Sequence, residues 1–117
     1  MAKLSTHVLD TMNGRPAKGM RVEFLRIGDG RTEPLGDYRT DADGRTGGQL
    51  LDAASFRPGR YELRFHIAAY FQALGVELPE PPFLDVVTVA FGIAEPAGNY
   101  HVPLLASPWS YSTYRGS

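Results

Sequence analysis

Residues 60–67 read Arg-Tyr-Glu-Leu-Arg-Phe-His-Ile (RYELRFHI), with Tyr61, Leu63, Phe65 and Ile67 alternating with Arg60, Glu62, Arg64 and His66. Successive side chains of a strand point to opposite faces, so this stretch predicts a strand with one face in a core and the other wet. The same alternation recurs in MRVEFLRI, where Met20, Val22 and Phe24 oppose Arg21 and Glu23. FLDVVTVAF, starting at Phe83, is nearly all apolar and β-branched, the pattern of a strand covered on both sides. Shorter strand candidates are KLSTHVLD, EPLGDYRT, YHVPLL and WSYSTY. Turn residues separate these runs, at Asn13-Gly14, Gly28-Asp29-Gly30, Asp43-Gly44 and Pro58-Gly59. Regular punctuation of this kind predicts an antiparallel sandwich with hairpin and Greek-key connections. A single short helix is expected over IAAYFQALG, stopped by Gly75 and followed by a Pro-rich loop from Pro79 to Pro82. Pro103 falls inside a strand candidate and, having no N–H to donate, predicts an edge or a bulge there.

At 117 residues, with 43% hydrophobic and 21% charged, the chain is expected to be one domain spanning 1–117 with its own core. A formal net charge of -1 lacks the surplus of Lys and Arg that a nucleic-acid groove or a polybasic membrane contact needs, so neither partner is expected. The chain contains no cysteine, which removes disulfides, thiolate metal sites and a Cys nucleophile together. No run resembles a signal sequence or is long enough to span a bilayer, and a cytoplasmic protein is the expectation.

Three histidines are available for chemistry. His66 lies on the polar face of its strand and reads as a solvated surface imidazole. Alternation puts His7 with Ser5 and Leu9 on one face of the first strand, opposite Leu4, Thr6 and Val8. His101 shares a face with Asn99, Pro103 and Leu105, opposite Tyr100, Val102 and Leu104. Each of these two is either a half-buried, hydrogen-bonded structural histidine or an acid/base group. No His-x-His or His-x-x-x-His spacing supports a metal site. RTDADGRT does not complete a calcium loop, because Arg39 and Leu50 stand where carboxylates are needed; it reads as a turn, Asp41 to Gly44, that projects Arg45. No Gly-x-Ser-x-Gly elbow marks a serine nucleophile.

The segments LSTHVLDTMNGRPAKGM, DADGRT and YHVPLLASPWSYSTYRGS occur in that order and together resemble the transthyretin-related 5-hydroxyisourate hydrolase family over about Leu4 to Ser117. The terminal Tyr-Arg-Gly-Ser discriminates most, because transthyretin itself resembles the rest of such chains but lacks that ending and the histidine and arginine pattern. The resemblance implies a mainly β, transthyretin-like, eight-stranded antiparallel Greek-key sandwich with one short helix. It implies hydrolysis of 5-hydroxyisourate to 2-oxo-4-hydroxy-4-carboxy-5-ureidoimidazoline in urate breakdown, with no cofactor. It also implies a homotetramer, a dimer of dimers, with active sites at the dimer–dimer interface and the tail held inside them. Carried over residue by residue, His7, Arg45, His101 and Ser117 would be catalytic, and Arg45, Tyr114, Arg115, Gly116 and Ser117 would hold substrate. Opening a cyclic amide needs an activated water and a stabiliser for charge on the carbonyl oxygen. His101 assisted by His7 would serve as base, Arg45 and Arg115 as forks for ring oxygens, Tyr114 as a hydroxyl or backbone donor, and Ser117 as hydroxyl or carboxylate.

Overall fold

A computed structural model describes residues 2–116. Eight strands and one helix follow in the order β1 (Lys3–Asp10), β2 (Arg15–Pro16), β3 (Arg21–Gly28), β4 (Arg31–Arg39), β5 (Gly59–His66), α1 (Ile67–Ala73), β6 (Val86–Ile93), β7 (Asn99–Ala106) and β8 (Tyr111–Thr113). They form two four-stranded sheets, ordered β2-β1-β7-β8 and β4-β3-β5-β6. The inner faces are the alternating apolar positions read from sequence: Leu4 and Leu104 from one sheet, Val22, Leu63 and Phe65 from the other, all fully buried. Ile67, the last apolar position of RYELRFHI, starts α1 instead of ending β5, and remains fully buried. Gly75 then takes a left-handed φ of 86°, as a helix stop does.

Three details depart from the sequence reading. The β1–β7 ladder is parallel, within sheets that are otherwise antiparallel. β6 is not covered on both sides: Val87, Val89 and Ile93 are buried while Val86, Thr88 and Ala90 are exposed, because alternate side chains of a strand point to opposite faces and only one face of β6 meets the core. Pro103 is in a strand interior to its sheet, not on an edge, yet it does interrupt a ladder. β8 pairs with β7 only from Leu104 to Ala106, the Pro103 carbonyl instead accepts the Thr113 hydroxyl at 2.7 Å, and pairing resumes at His101 with Gly116. A residue without an N–H cannot continue an antiparallel ladder on that side.

α1 is tied to the first sheet by a buried polar contact. The Tyr70 hydroxyl donates to Asp10 Oδ2 at 2.8 Å, and Asn13 donates to the same carboxylate through its backbone N–H at 2.9 Å and its side chain at 2.7 Å. Burial works to raise the Asp10 pKa, but the donors from Asn13 and Tyr70 outweigh it and hold the group below its ordinary 3.8. Burial and the neighbouring Asp10 push Tyr70 up to about 12. A depressed carboxylate stabilises the fold above its unfolded pKa and loses that contribution as pH falls through the folded value, here below 3.8. A raised phenol stabilises below its unfolded pKa of 10 and loses this as pH rises toward about 12. Tyr70→Phe leaves the buried carboxylate one donor short, and urea unfolding is expected to show a loss of about 1–3 kcal/mol; an unchanged midpoint would mean that water replaces the hydroxyl.

Candidate active site

The outer face of the first sheet is where the chemistry gathers. In the parallel ladder Ser5 lies beside His101 and His7 beside Pro103. The His7 and His101 rings therefore share that face, with centroids 6.4 Å apart and planes tilted by 34°. His101 is half-buried; its Nδ1 is 2.9 Å from Ser5 Oγ. His7 Nε2 is 2.7 Å from the Asp43 carbonyl oxygen. A carbonyl only accepts, so Nε2 carries a proton, and in the neutral ring the His7 lone pair is on Nδ1.

Arg45 arrives from the segment between β4 and β5. Asp41 folds the turn, accepting the backbone N–H groups of Asp43 at 2.9 Å and Arg45 at 3.1 Å, while the Asp41 N–H donates to the Arg45 carbonyl at 2.8 Å. Residues 44–51 then run along the edge of β1 that β7 leaves free. Val8 donates to Gly44 at 2.8 Å, Leu4 donates to Leu51 at 2.9 Å, and Leu50 donates to Leu4 at 2.8 Å. Gly44 has a φ of 77° and a Cβ there would run into the Val8 carbonyl, so only glycine lets the turn come this close. Arg45 lines an open cleft of about 320 Å³ with Lys3, Ser5, Asp41 and Gln49.

The tail closes the other flank. Gly116 and His101 exchange backbone hydrogen bonds of 2.7 and 3.3 Å, and a Cβ on Gly116 would stand 3.1 Å from His101 Cβ and Cδ2. Tyr114 and Arg115 are turned elsewhere. The Arg115 guanidinium lies 4.3 Å from the Tyr100 ring centre and donates to the Asn99 carbonyl at 3.4 Å. Tyr114 is exposed and lines an apolar hollow of about 240 Å³ between the open edges formed by β6 and β8. Thus His7, Arg45, His101 and Gly116 meet on one face, Tyr114 and Arg115 stand apart from it, and Ser117 lies outside the described residues.

The surroundings favour a neutral His101. Burial lowers its pKa most, the positive charges of Arg45, His7 and Lys3 lower it further, and only a hydrogen bond with the Ser5 backbone raises it; the result lies below the ordinary 6.5. At neutral pH this imidazole is free to accept a proton. Lys3, Ser5 and the Asp43 carbonyl were not singled out as site groups by sequence reasoning. The signal for Ser5 and Lys3 was present in the alternation that places them on the His7 face; Asp43 acts through its backbone, which no side-chain pattern announces. His66 is not the freely solvated imidazole of the sequence reading. It is half-buried and its Nε2 is 2.7 Å from Glu23 Oε1, since Glu23 and Arg64 are cross-strand partners beside it. Among the described residues no group of three or more His, Asp or Glu is placed to hold a metal ion. No helix among the described residues is long and apolar enough to cross a membrane.

The model of the HIUase/Transthyretin family matches residues 4–116. Over 117 residues, covering all of both chains, the sequence is 50% identical to the 5-hydroxyisourate hydrolase of Ralstonia nicotianae. It is 53% identical to that of Deinococcus radiodurans over 97% of this chain and 95% of the other. The solved structure of Klebsiella pneumoniae 5-hydroxyisourate hydrolase superposes with a TM-score of 0.81 at 37% identity, covering both chains completely. The crystal structure of an (S)-allantoin synthase superposes with a TM-score of 0.93 at 44% identity, over 99% of this chain and 44% of that longer one.

Proposed function

This chain belongs to the HIUase/Transthyretin family, and from that membership we propose that it hydrolyses 5-hydroxyisourate, using the face on which His7, Arg45 and His101 converge. The observation that carries the reading is this convergence: two imidazoles 6.4 Å apart, one of them held neutral, beside a guanidinium. Relatives of the same length at about half identity bear the name of that activity. Residues 1–117 act as one hydrolase domain in this reading.

His101 Nε2 takes a proton from water as its oxygen attacks the cyclic amide carbonyl of the substrate. Arg45, permanently charged, holds the oxyanion that forms there. Collapse of that intermediate breaks the ring C–N bond, and the proton returns from His101 to the departing nitrogen, leaving a carboxylic acid that then ionises to solvent. His7, its Nε2–H committed to the Asp43 carbonyl, orients water through Nδ1. The product retains all atoms of substrate and water, and no redox step is involved.

We further propose a homotetramer, a dimer of dimers, in the cytoplasm. The open edges of β6 and β8, the exposed aromatics Trp109, Tyr111 and Tyr114, and a half-buried His101 on a face without a cover support assembly. A partner's matching face would enclose the cleft at the dimer–dimer interface and bring tail residues into it.

The test is the ultraviolet decay of 5-hydroxyisourate, generated in place from urate by urate oxidase, over a range of pH. We expect decay faster than the spontaneous rate, in proportion to protein. Because His101 is active when neutral and its pKa is depressed, kcat/KM should rise through an acid limb lying below pH 6.5 and be level above it. No excess decay from a folded tetramer, checked by sedimentation, would leave a ligand carrier as the better reading; a persistent active monomer would remove the interface from the site.

A further inference from the structure

Ser5 belongs to none of the groups given a role above, yet it is the cross-strand neighbour of His101 in the parallel ladder, 96 residues away in sequence, and its hydroxyl is 2.9 Å from Nδ1. A hydroxyl both donates and accepts, so this contact permits either tautomer of the ring. The chemistry proposed for His101 breaks the tie. Ser5 faces Nδ1, so Nε2 is the ring nitrogen left for the reaction, and a neutral imidazole can accept a proton on Nε2 only when Nδ1 carries the ring proton. With Nδ1 protonated, the Ser5 hydroxyl oxygen is the acceptor of that contact.

We propose that Ser5 is a positioning residue for His101: its hydroxyl oxygen accepts the Nδ1–H across the β1–β7 ladder and thereby keeps the proton off Nε2, whose lone pair is left for chemistry on the open face. The inference rests on the reading of His101 as the proton acceptor in hydrolysis. Having accepted from Nδ1, the Ser5 hydroxyl keeps its own proton to donate into the cleft that Ser5 lines with Arg45 and Lys3. The backbone supports the geometry from both sides. The parallel β1–β7 ladder holds the Ser5 and His101 backbones in register, and the Gly116 bridge closes the opposite edge of His101, so the imidazole has little freedom to turn away from Ser5. Charged groups around the ring come from β1 as Lys3 and His7 and from the 44–51 segment as Arg45; on the tail side Arg115 is turned onto Tyr100.

The experiment uses the full chain, with Ser5→Ala and Ser5→Thr beside the unchanged protein, and two readouts. Long-range proton–nitrogen NMR of the imidazoles reports the tautomer without substrate, and the pH dependence of kcat and KM reports its consequence. Expected in the unchanged protein is a protonated Nδ1 and an unprotonated Nε2 on His101. Ser5→Ala, which removes the hydroxyl, should give a mixed tautomer and a kcat lower by about 10- to 100-fold, the usual cost of removing the partner of a functional imidazole, with KM little changed. Its acid limb should move to lower pH, because an acceptor that stabilised the imidazolium is gone. Ser5→Thr retains the hydroxyl and should restore tautomer, rate and limb together.

A proton on Nε2 in the unchanged protein, or an acid limb that moves to higher pH in Ser5→Ala, would show the hydroxyl donating to Nδ1 and overturn the proposal. So would an unchanged kcat and tautomer in Ser5→Ala. If the unchanged protein does not act on 5-hydroxyisourate, the functional reading fails while the NMR result still decides what Ser5 does to His101. If it does act and the tautomer is reversed, the inference about Ser5 alone fails.

Discussion

His101→Asn is expected to lower kcat/KM for 5-hydroxyisourate by about 10²- to 10⁴-fold, the contribution of a positioned acid/base group. Asparagine has no lone pair of comparable basicity, so water must attack without transferring its proton to the protein. The fold should not register the change. The imidazole is on the outer face of β7, the core takes its contacts from the neighbours Tyr100 and Val102, and the backbone hydrogen bonds of residue 101 do not depend on its side chain. Matching urea midpoints for the two proteins, with turnover lost in one, would separate chemistry from stability. A folded, assembled His101→Asn protein with full activity would transfer the base to His7, whose Nδ1 is the remaining imidazole nitrogen not engaged by a main-chain carbonyl.

Truncation after Thr113 should be as damaging to turnover, by about 10³-fold, while leaving the sandwich intact. The structural reason is where the load ends. β8 stops at Thr113, its ladder with β7 spans Leu104 to Ala106, and no described residue after Ala106 belongs to the buried hydrophobic core. What truncation removes is the Gly116 bridge that backs His101 and the charge of Arg115. Without the bridge the edge of β7 beside His101 is open to water, and the imidazole loses the wall against its Cβ and Cδ2. Circular dichroism and urea unfolding should therefore coincide with those of the full chain, and the decay of 5-hydroxyisourate should return to its spontaneous rate. A truncated protein with undiminished turnover would sink the tail's place in the site. Together the two variants discriminate further: if His101→Asn is inactive and the truncation is active, the histidines work without the tail.

Much of the fold was legible because it is written in local periodicity. The period of two in RYELRFHI, MRVEFLRI and KLSTHVLD set which side chains face the core, and the burial of β1, β3 and β5 follows it almost residue by residue. FLDVVTVAF misled because apolar content alone does not say whether a second layer lies outside; here the outer side of β6 leaves Val86 and Ala90 exposed. Pro103 was half legible. Its missing donor predicted an edge or a bulge, whereas it sits in an interior strand beside the end of the β7–β8 ladder; which strand flanks it depends on a neighbour that is not nearby in sequence.

For the site, the sequence by itself determined the direction of each side chain: His7 with Ser5 on one face of β1, and His101 on the corresponding face of β7. It also determined the turn at Asp41 to Gly44 that presents Arg45. Only the tertiary structure decided that β1 and β7 are parallel neighbours, which places Ser5 against His101 and brings the two imidazoles to 6.4 Å. The same holds for the 44–51 segment lying along β1, for Gly116 returning to His101, and for Arg115 folding over Tyr100. The physical reason is a difference of range. The face a strand residue occupies follows from its own backbone geometry, whereas the strand beside it is chosen by the burial of a shared core and the closing of the chain between them, a balance summed over the whole molecule.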